Sequence, residues 1–433
     1  MAVGTILDGK FLRAKTEDSG DGSHFVQGST APAKMRAMHT LLLLMLVTIP
    51  AEAQWWKVQT SGLDTNLRGV SLAYRPDAKG VPAPVVWASG SNGVILKSID
   101  EGTTWKRLHM AGGDALDFRG IVAFKASTAY VMSSGAGEKS RIYKTTDGGE
   151  TWTLQYTNKR KEFFLDSMAC LSETHCFALS DPIDGKFLLL NTTDGQHWNP
   201  LSNDNMPGAL PGEGAFAASN TCLLLSGEDI FFGTGGPVAR VFRSPDSGRT
   251  WTVSETPIAH GNASSGIFSI ARADEKTIVV VGGDYQDSKR GSGVAAYSRD
   301  QSKTWQLAPQ QPGGYRSAVA HIDDGRWVAV GPNGEDVSGD FGVHWKHTDS
   351  LNLNAVAIAD IEHGWAVGPN GTLARFVNHP GYEIPSRQPH GSSSPQRPQP
   401  PPLPTKPKRC SLPRCSGLAV NHFPFHATRN GRQ

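Results

Sequence analysis

The sequence predicts an all-β chain: a seven-bladed β-propeller of four-stranded blades, with an N-terminal strand closing the last blade. Three observations carry that expectation. A turn sequence ending in tryptophan recurs six times, and a pair of apolar segments recurs seven times. The 433 residues also include 48 Gly and 28 Pro, a heavy load of turn formers. With only 19% charged residues and a formal net charge of +2, this composition argues against a helical bundle, a coiled coil or a polytopic membrane protein.

Residues 1–34 show no sustained period and read as a non-native or disordered extension. A secretory signal peptide is expected over 35–53. Met35-Arg36 opens it, an apolar run Leu41–Ile49 follows, and Ala51-Glu52-Ala53 supplies a small-x-small cleavage site. That run is too short for a bilayer, which needs about 20 residues. The protein is therefore expected to be exported, periplasmic or secreted, with no transmembrane segment and translation starting at Met35 or Met38.

The far end, 377–433, holds twelve prolines, eight Lys or Arg and a single acid, Glu383. Such a segment cannot bury enough apolar surface to offset its ordering entropy, so a basic disordered tail is expected. The body between, 54–376, carries 29 Lys and Arg against 34 Asp and Glu. The basic overall balance is thus the tail's, and no nucleic-acid partner is expected.

Within the body, Ser98-Ile99-Asp100-Glu101-Gly102-Thr103-Thr104-Trp105 returns as Thr145-Thr146-Asp147-Gly148-Gly149-Glu150-Thr151-Trp152. It returns again around Asp246 and Trp251, Asp300 and Trp305, and Asp340 and Trp345; a copy one residue short holds Asp194 and Trp198. The expected role is structural. An aspartate at a turn accepts hydrogen bonds from nearby backbone N–H groups, glycine supplies a positive φ, and tryptophan packs between neighbouring sheets. One carboxylate per loop makes a poor calcium site, so no metal and no cofactor are expected.

Two apolar segments precede each turn. The first of each pair reads Leu67–Ala73, Phe118–Phe124, Leu165–Leu171, Gly214–Ser219, Gly266–Ala271, Arg316–His321 and Asn354–Ala359. The repeat unit averages roughly 46 residues, the length of a propeller blade. One strand follows each Trp, as in Thr153–Tyr156, but the last unit stops at Phe376 without one. Gln54-Trp55-Trp56-Lys57-Val58-Gln59-Thr60 supplies it, with Trp56 expected beside Leu373, so that the ring closes without an open edge.

These turns are Asp-boxes. Together with Trp55-Trp56-Lys57-Val58-Gln59-Thr60-Ser61-Gly62 and Trp365-Ala366-Val367-Gly368-Pro369-Asn370-Gly371, they resemble exported BNR-repeat propellers of the photosystem II stability/assembly factor-like family. The resemblance spans about 54–376 and implies a binding or assembly scaffold. Sialidases resemble the chain more distantly. Their Arg-Ile-Pro hallmark meets only Arg68-Gly69-Val70 here.

Aligning the innermost strands places Arg68, Arg119, Asp166, Glu213, Ser265, Arg316 and Asn354 around one mouth of the axial channel. The same face is expected to carry the long loops His109–Asp117, Ser202–Gly212, Ser254–Ser264 and Gly283–Ser292, where function concentrates. Asp181, Tyr285 and Tyr315 are expected to join from that face. The ligand-binding set is then Arg68, Arg119, Asp166, Asp181, Glu213, Tyr285, Tyr315 and Arg316. Two readings stay open: an internal ion-pair network, or arginine forks that hold a protein partner or an anionic or polar small ligand. A third, glycoside hydrolysis, would use Asp, Glu and Tyr at the same mouth.

No H-E-x-x-H, P-loop or nucleophile elbow occurs, and no catalytic residue is assigned. The chain is expected to act as a monomer. Cys170 and Cys176 flank a short turn and are open to either a disulfide or two thiols.

Overall fold

The computed structural model describes residues 56–76, 80 and 82–377. The expected extension, signal segment and all but the first residue of the tail lie outside these. Seven antiparallel sheets follow one another along the chain. Blade 1 comprises Leu67–Pro76, Pro82–Gly90, Ile95–Ser98 and Lys106–Leu108. Blade 2 comprises Phe118–Ala123, Ala129–Ser133, Arg141–Thr145 and Thr153–Thr157. Blade 3 runs from Leu165–Cys170 to Asn199–Pro200, blade 4 from Leu223–Ser226 to Thr252–Glu255, and blade 5 from Asn262–Arg272 to Gln306–Leu307. Blade 6 runs from Ala318–Asp323 to Lys346–Asp349. Blade 7 comprises Ala355–Ile358, Gly364–Val367, Thr372–Phe376 and, as its outer strand, Trp56–Thr60. The first strands of successive blades touch in a circle that returns from blade 7 to blade 1.

Among the described residues the core consists of seven clusters, one at each blade–blade interface. The two-residue period of a strand explains this arrangement. On the second strand of blade 5, Ile278 and Val280 pack toward blade 4, while Val279 and Val281 pack toward blade 6. Both faces are buried, so these strands read as unbroken apolar runs.

The recurrent turns nest on the neighbouring blade. Asp100 accepts from the Thr104 N–H at 2.9 Å, from Thr104 Oγ1 at 2.6 Å and from Ser98 Oγ at 2.8 Å, while Ser98 Oγ accepts the Gly102 N–H. Asp147, Asp246 and Asp300 repeat this set, and at Asp340 the ring of His344 replaces the threonine hydroxyl. In the short copy, Asp194 instead accepts from Gln196 and His197. Trp105, Trp152 and Trp198 lie edge-on to Trp365, Trp87 and Tyr130, each on the second strand of the preceding blade. Trp251, Trp305 and Trp345 pack in the corresponding interfaces.

Gly102 shows how tight the nesting is. Its φ is +78°, and a Cβ there would sit 2.1 Å from the Trp365 ring. Gly102→Ala combines a left-handed backbone with overpacking and is expected to cost about 2–4 kcal/mol in urea unfolding. A loss below about 0.5 kcal/mol would show that the turn does not seat on Trp365.

The closing strand pairs antiparallel with Thr372–Phe376. Its register differs from the expectation: Trp56 lies opposite Phe376, and Gln59 lies opposite Leu373. Side-chain packing accounts for the difference. Trp56 meets the Phe376 ring edge-on at 5.5 Å and donates its indole N–H to Glu335 of blade 6.

Glu335 is fully buried, and burial pushes its carboxyl up to about 7 although Trp56 and Thr348 donate to it. A carboxyl raised in the folded state stabilises fully below its unfolded value of about 4.5 and loses that contribution as pH rises through about 7. Across that window the loss amounts to about 3 kcal/mol. Glu335→Gln should flatten this slope, making the variant the more stable of the two at pH 8. Parallel urea curves at pH 5 and pH 8 with no relative gain for the variant would refute it.

Blade 4 departs from the expected inner strand. Gly214–Ser219 forms only an isolated bridge from Gly214 to Gly235, and the hydrogen-bonded strand is Leu223–Ser226. The intervening segment gives its polar groups to other blades. Arg119 donates to the Ala217 carbonyl at 3.0 Å, Ser219 Oγ donates to the Ser317 carbonyl at 2.7 Å, and the Asn220 amide pairs with the Met168 backbone. A run of small residues lets this segment approach its neighbours so closely. Gly235–Gly236 correspondingly adds a fifth strand to the blade 5 sheet.

Cys170 and Cys176 stand opposite each other in blade 3 and are joined as a disulfide.

Candidate functional site

Four first strands carry a β-bulge, near the start in blades 1, 2 and 3 and mid-strand in blade 5. The pairing skips Arg68 in blade 1, Arg119 in blade 2, Asp166 in blade 3 and Phe268 in blade 5. A bulge leaves one residue outside the ladder and re-aims its side chain. In each case the next residue is Gly or Ser: Gly69, Gly120, Ser167 and Ser269. The second strand of blade 3 repeats the device at Asp181, between Ser180 and Pro182. All five side chains line one cavity of about 550 Å³, to which every blade or the segment leading into it contributes.

One sector is basic. Arg119 donates through Nε to Asp117 at 2.7 Å, and Arg68 Nε stands 4.0 Å from the other oxygen of the same carboxylate. Arg68 Nε is buried without a hydrogen-bond partner. Desolvation lowers the Arg68 pKa, and the Arg119 charge lowers it further. Ser91 Oγ also donates to Asp117.

The next sector is acidic. Asp166 is 1% exposed, and its Oδ2 has no hydrogen-bond partner. Burial and the charge of Asp181 push its carboxyl far up, against the pull of Arg119. Asp181 accepts the Ala215 N–H at 3.0 Å, and burial raises it to about 6.

The remaining wall is aromatic. Phe216 and Phe268 stack at 3.8 Å, and Tyr285 and Tyr315 meet Phe268 edge-on at 6.1 and 4.7 Å. Tyr315 is buried, and burial pushes its phenol up although the Arg68 charge opposes this. Tyr285 is half exposed at the rim.

Six of the eight expected ligand-binding residues therefore converge: Arg68, Arg119, Asp166, Asp181, Tyr285 and Tyr315. Glu213 and Arg316 do not line this cavity. The Glu213 carboxylate accepts from Arg240, Thr234 and the Leu210 N–H, which seats the preceding loop on blade 4. Arg316 is wholly buried and forks onto Asp336. In both cases a partner on the neighbouring strands satisfies the charge internally, a desolvated position that no strand alignment reveals. Ser265 likewise turns inward, donating to the Asn262 carbonyl. Asn354 lines the cavity while donating to Asn66 and to the Leu67 carbonyl.

Asp117, Phe164, Phe216 and Phe268 complete the site and were not among the expected residues. The bulge signature, a residue before Gly or Ser and then an apolar side chain, would have found Phe268. Asp117 carries no such signal. Formal charge at the mouth sums to two arginines against three aspartates, Asp117, Asp166 and Asp181, so the face is bipolar. Among the described residues no cluster of three or more His, Cys, Asp or Glu comes together as a metal site, and no helix is long and apolar enough to cross a membrane.

No protein-family model matches the sequence, and no curated protein matches it. Solved structures do. YCF48 bound to D1 peptide superposes with a TM-score of 0.54 at 13% identity, over 75% of this chain and 98% of that one. YCF48 from Cyanidioschyzon merolae gives 0.52 at 16% identity, over 75% and 99%. The WD40 β-propeller domain of Doa1 gives 0.51 at 9% identity, over 75% and 97%. The likeness is one of fold. At these identities the comparison shows the propeller fold alone.

Proposed function

We propose that this chain is a binding propeller, exported through its 35–53 segment, that holds a protein segment or a polar ligand at the axial mouth. One observation carries the reading: every blade or the segment leading into it lines one cavity, where two arginines share a single carboxylate and Arg68 Nε has no hydrogen-bond partner. A carboxylate, backbone carbonyl or other anionic group of the ligand would complete that sector. The six Asp-box turns support placing the chain among exported BNR-repeat propellers of the photosystem II stability/assembly factor-like family. A peptide bound to YCF48 supports a peptide as the ligand class.

The test is an immobilised array of acidic, basic and neutral peptides probed with the parent and with Arg119→Glu. Peptides captured by the parent are expected to weaken at least about tenfold in the variant, compared at a temperature where both proteins are folded. Equal capture by both proteins, or capture of none, would overturn the reading.

Asp166 and Asp181 favour a second reading, glycoside hydrolysis, because two carboxyls with raised pKa share a cavity with Tyr315. Glu213, expected to take part, is committed to Arg240. Turnover of fluorogenic glycosides, lost in Asp166→Asn, would establish that reading.

A further inference from the structure

The two charged sectors of the mouth are not equally satisfied. Arg68 and Arg119 flank Asp117, whereas no arginine or lysine forms an ion pair with Asp166 or Asp181 among the described residues. Asp166 Oδ2 is unpartnered although the residue is almost wholly buried and lines the cavity. A buried carboxylate oxygen without a donor is costly, so a donor supplied from outside would be strongly favoured. Beside the pair stands the Phe216–Phe268 stack with the edges of Tyr285 and Tyr315. Such a wall suits an alkyl stem or a cation over a ring face.

We propose that Asp166 and Asp181 form a subsite for an alkylammonium group, the chemistry of a lysine side chain, with its stem against the Phe216–Phe268 wall. The subsite specifies one group of the polar ligand proposed above and so rests on that reading of the mouth. It also makes the mouth bipolar, with an anionic group of the ligand on the Arg68 and Arg119 side and a cationic group across from it.

The charged and titratable groups around the pair set its pH response. Arg119 faces Asp166 from blade 2, the buried Cys222 thiol lies close to both carboxyls, and Arg68 with Tyr315 stands across the mouth. Burial raises Asp181 to about 6 and holds Asp166 well above the ordinary carboxylate range. An ammonium favours the ionised carboxylates, so it binds more tightly as pH rises through about 6 and displaces protons on binding.

The experiment titrates the folded protein with n-hexylammonium and with n-hexanol by calorimetry, at pH 7.5 and pH 4.5, in two buffers of different ionisation enthalpy. At pH 7.5 hexylammonium is expected to bind about tenfold more tightly than hexanol, with proton release, and the preference should vanish at pH 4.5. Asp166→Asn and Asp181→Asn should each reduce the preference at pH 7.5, while hexanol binding and the thermal midpoint stay near the parent's. Equal affinity for the two probes at pH 7.5, or a preference unchanged in both variants, would overturn the subsite. Neither outcome depends on the peptide array, so the two proposals fail separately.

Discussion

Trp56→Ala is expected to lower the unfolding free energy by about 3–5 kcal/mol, the loss typical of deleting a buried tryptophan from a packed core. Trp56 is 1% exposed and sits in the interface between blades 6 and 7 with Val328, Val337 and Phe376. Its removal leaves a cavity, takes away the Phe376 ring contact and strips the indole donor from Glu335. Glu335 would keep Thr348 Oγ1 as a donor. With one donor fewer its carboxyl should rise further above about 7, so the loss of stability on going from pH 5 to pH 8 should steepen. Trp56→Phe separates the two effects, restoring much of the volume but not the N–H. Urea midpoints at both pH values provide the measurement. A Trp56→Ala variant as stable as the parent would mean that the closing strand does not hold the ring.

Arg316→Met is expected to cost about 3–5 kcal/mol, because it leaves a buried carboxylate without its cation. Arg316 and Asp336 are 0% and 1% exposed in their side chains, and the guanidinium gives both Nε and Nη2 to the same oxygen. After substitution Asp336 retains the Gly313 N–H at 3.2 Å and His347 at 3.7 Å, neither of which replaces a guanidinium fork. The double variant Arg316→Met with Asp336→Leu should recover most of the loss, since apolar side chains can replace a buried pair at little net cost. Guanidinium unfolding of the two single variants and the double closes the cycle. Additive losses would show that the pair is not coupled. Hexylammonium binding should survive in the folded double variant, since Arg316 does not line the mouth.

The strand-and-turn pattern of this chain was legible because it rests on local rules applied seven times over. Alternation sets the strands, a glycine with positive φ and an aspartate with nearby N–H donors set each turn, and an unpaired last strand calls for a partner. Arg68, Arg119 and Asp166 were legible for the same reason, since each occupies an equivalent place at the start of an inner strand. Blade 4 was not. Its Gly-Ala-rich segment satisfies its polar groups on blades 2, 3 and 6, contacts with no local signature.

Repetition alone was enough to specify the ring, the closing strand and which strand faces the channel, because hydrogen-bond ladders and alternating burial are decided between near neighbours in the chain. Which charges stay inside was settled by partners far away. Glu213 found Arg240, Arg316 found Asp336, and Arg68 and Arg119 came to share Asp117, while Asp166 forms no ion pair among the described residues. Burial makes breaking the Glu213–Arg240 or the Arg316–Asp336 pair cost several kcal/mol, and burial is a property of the assembled blades rather than of any one segment.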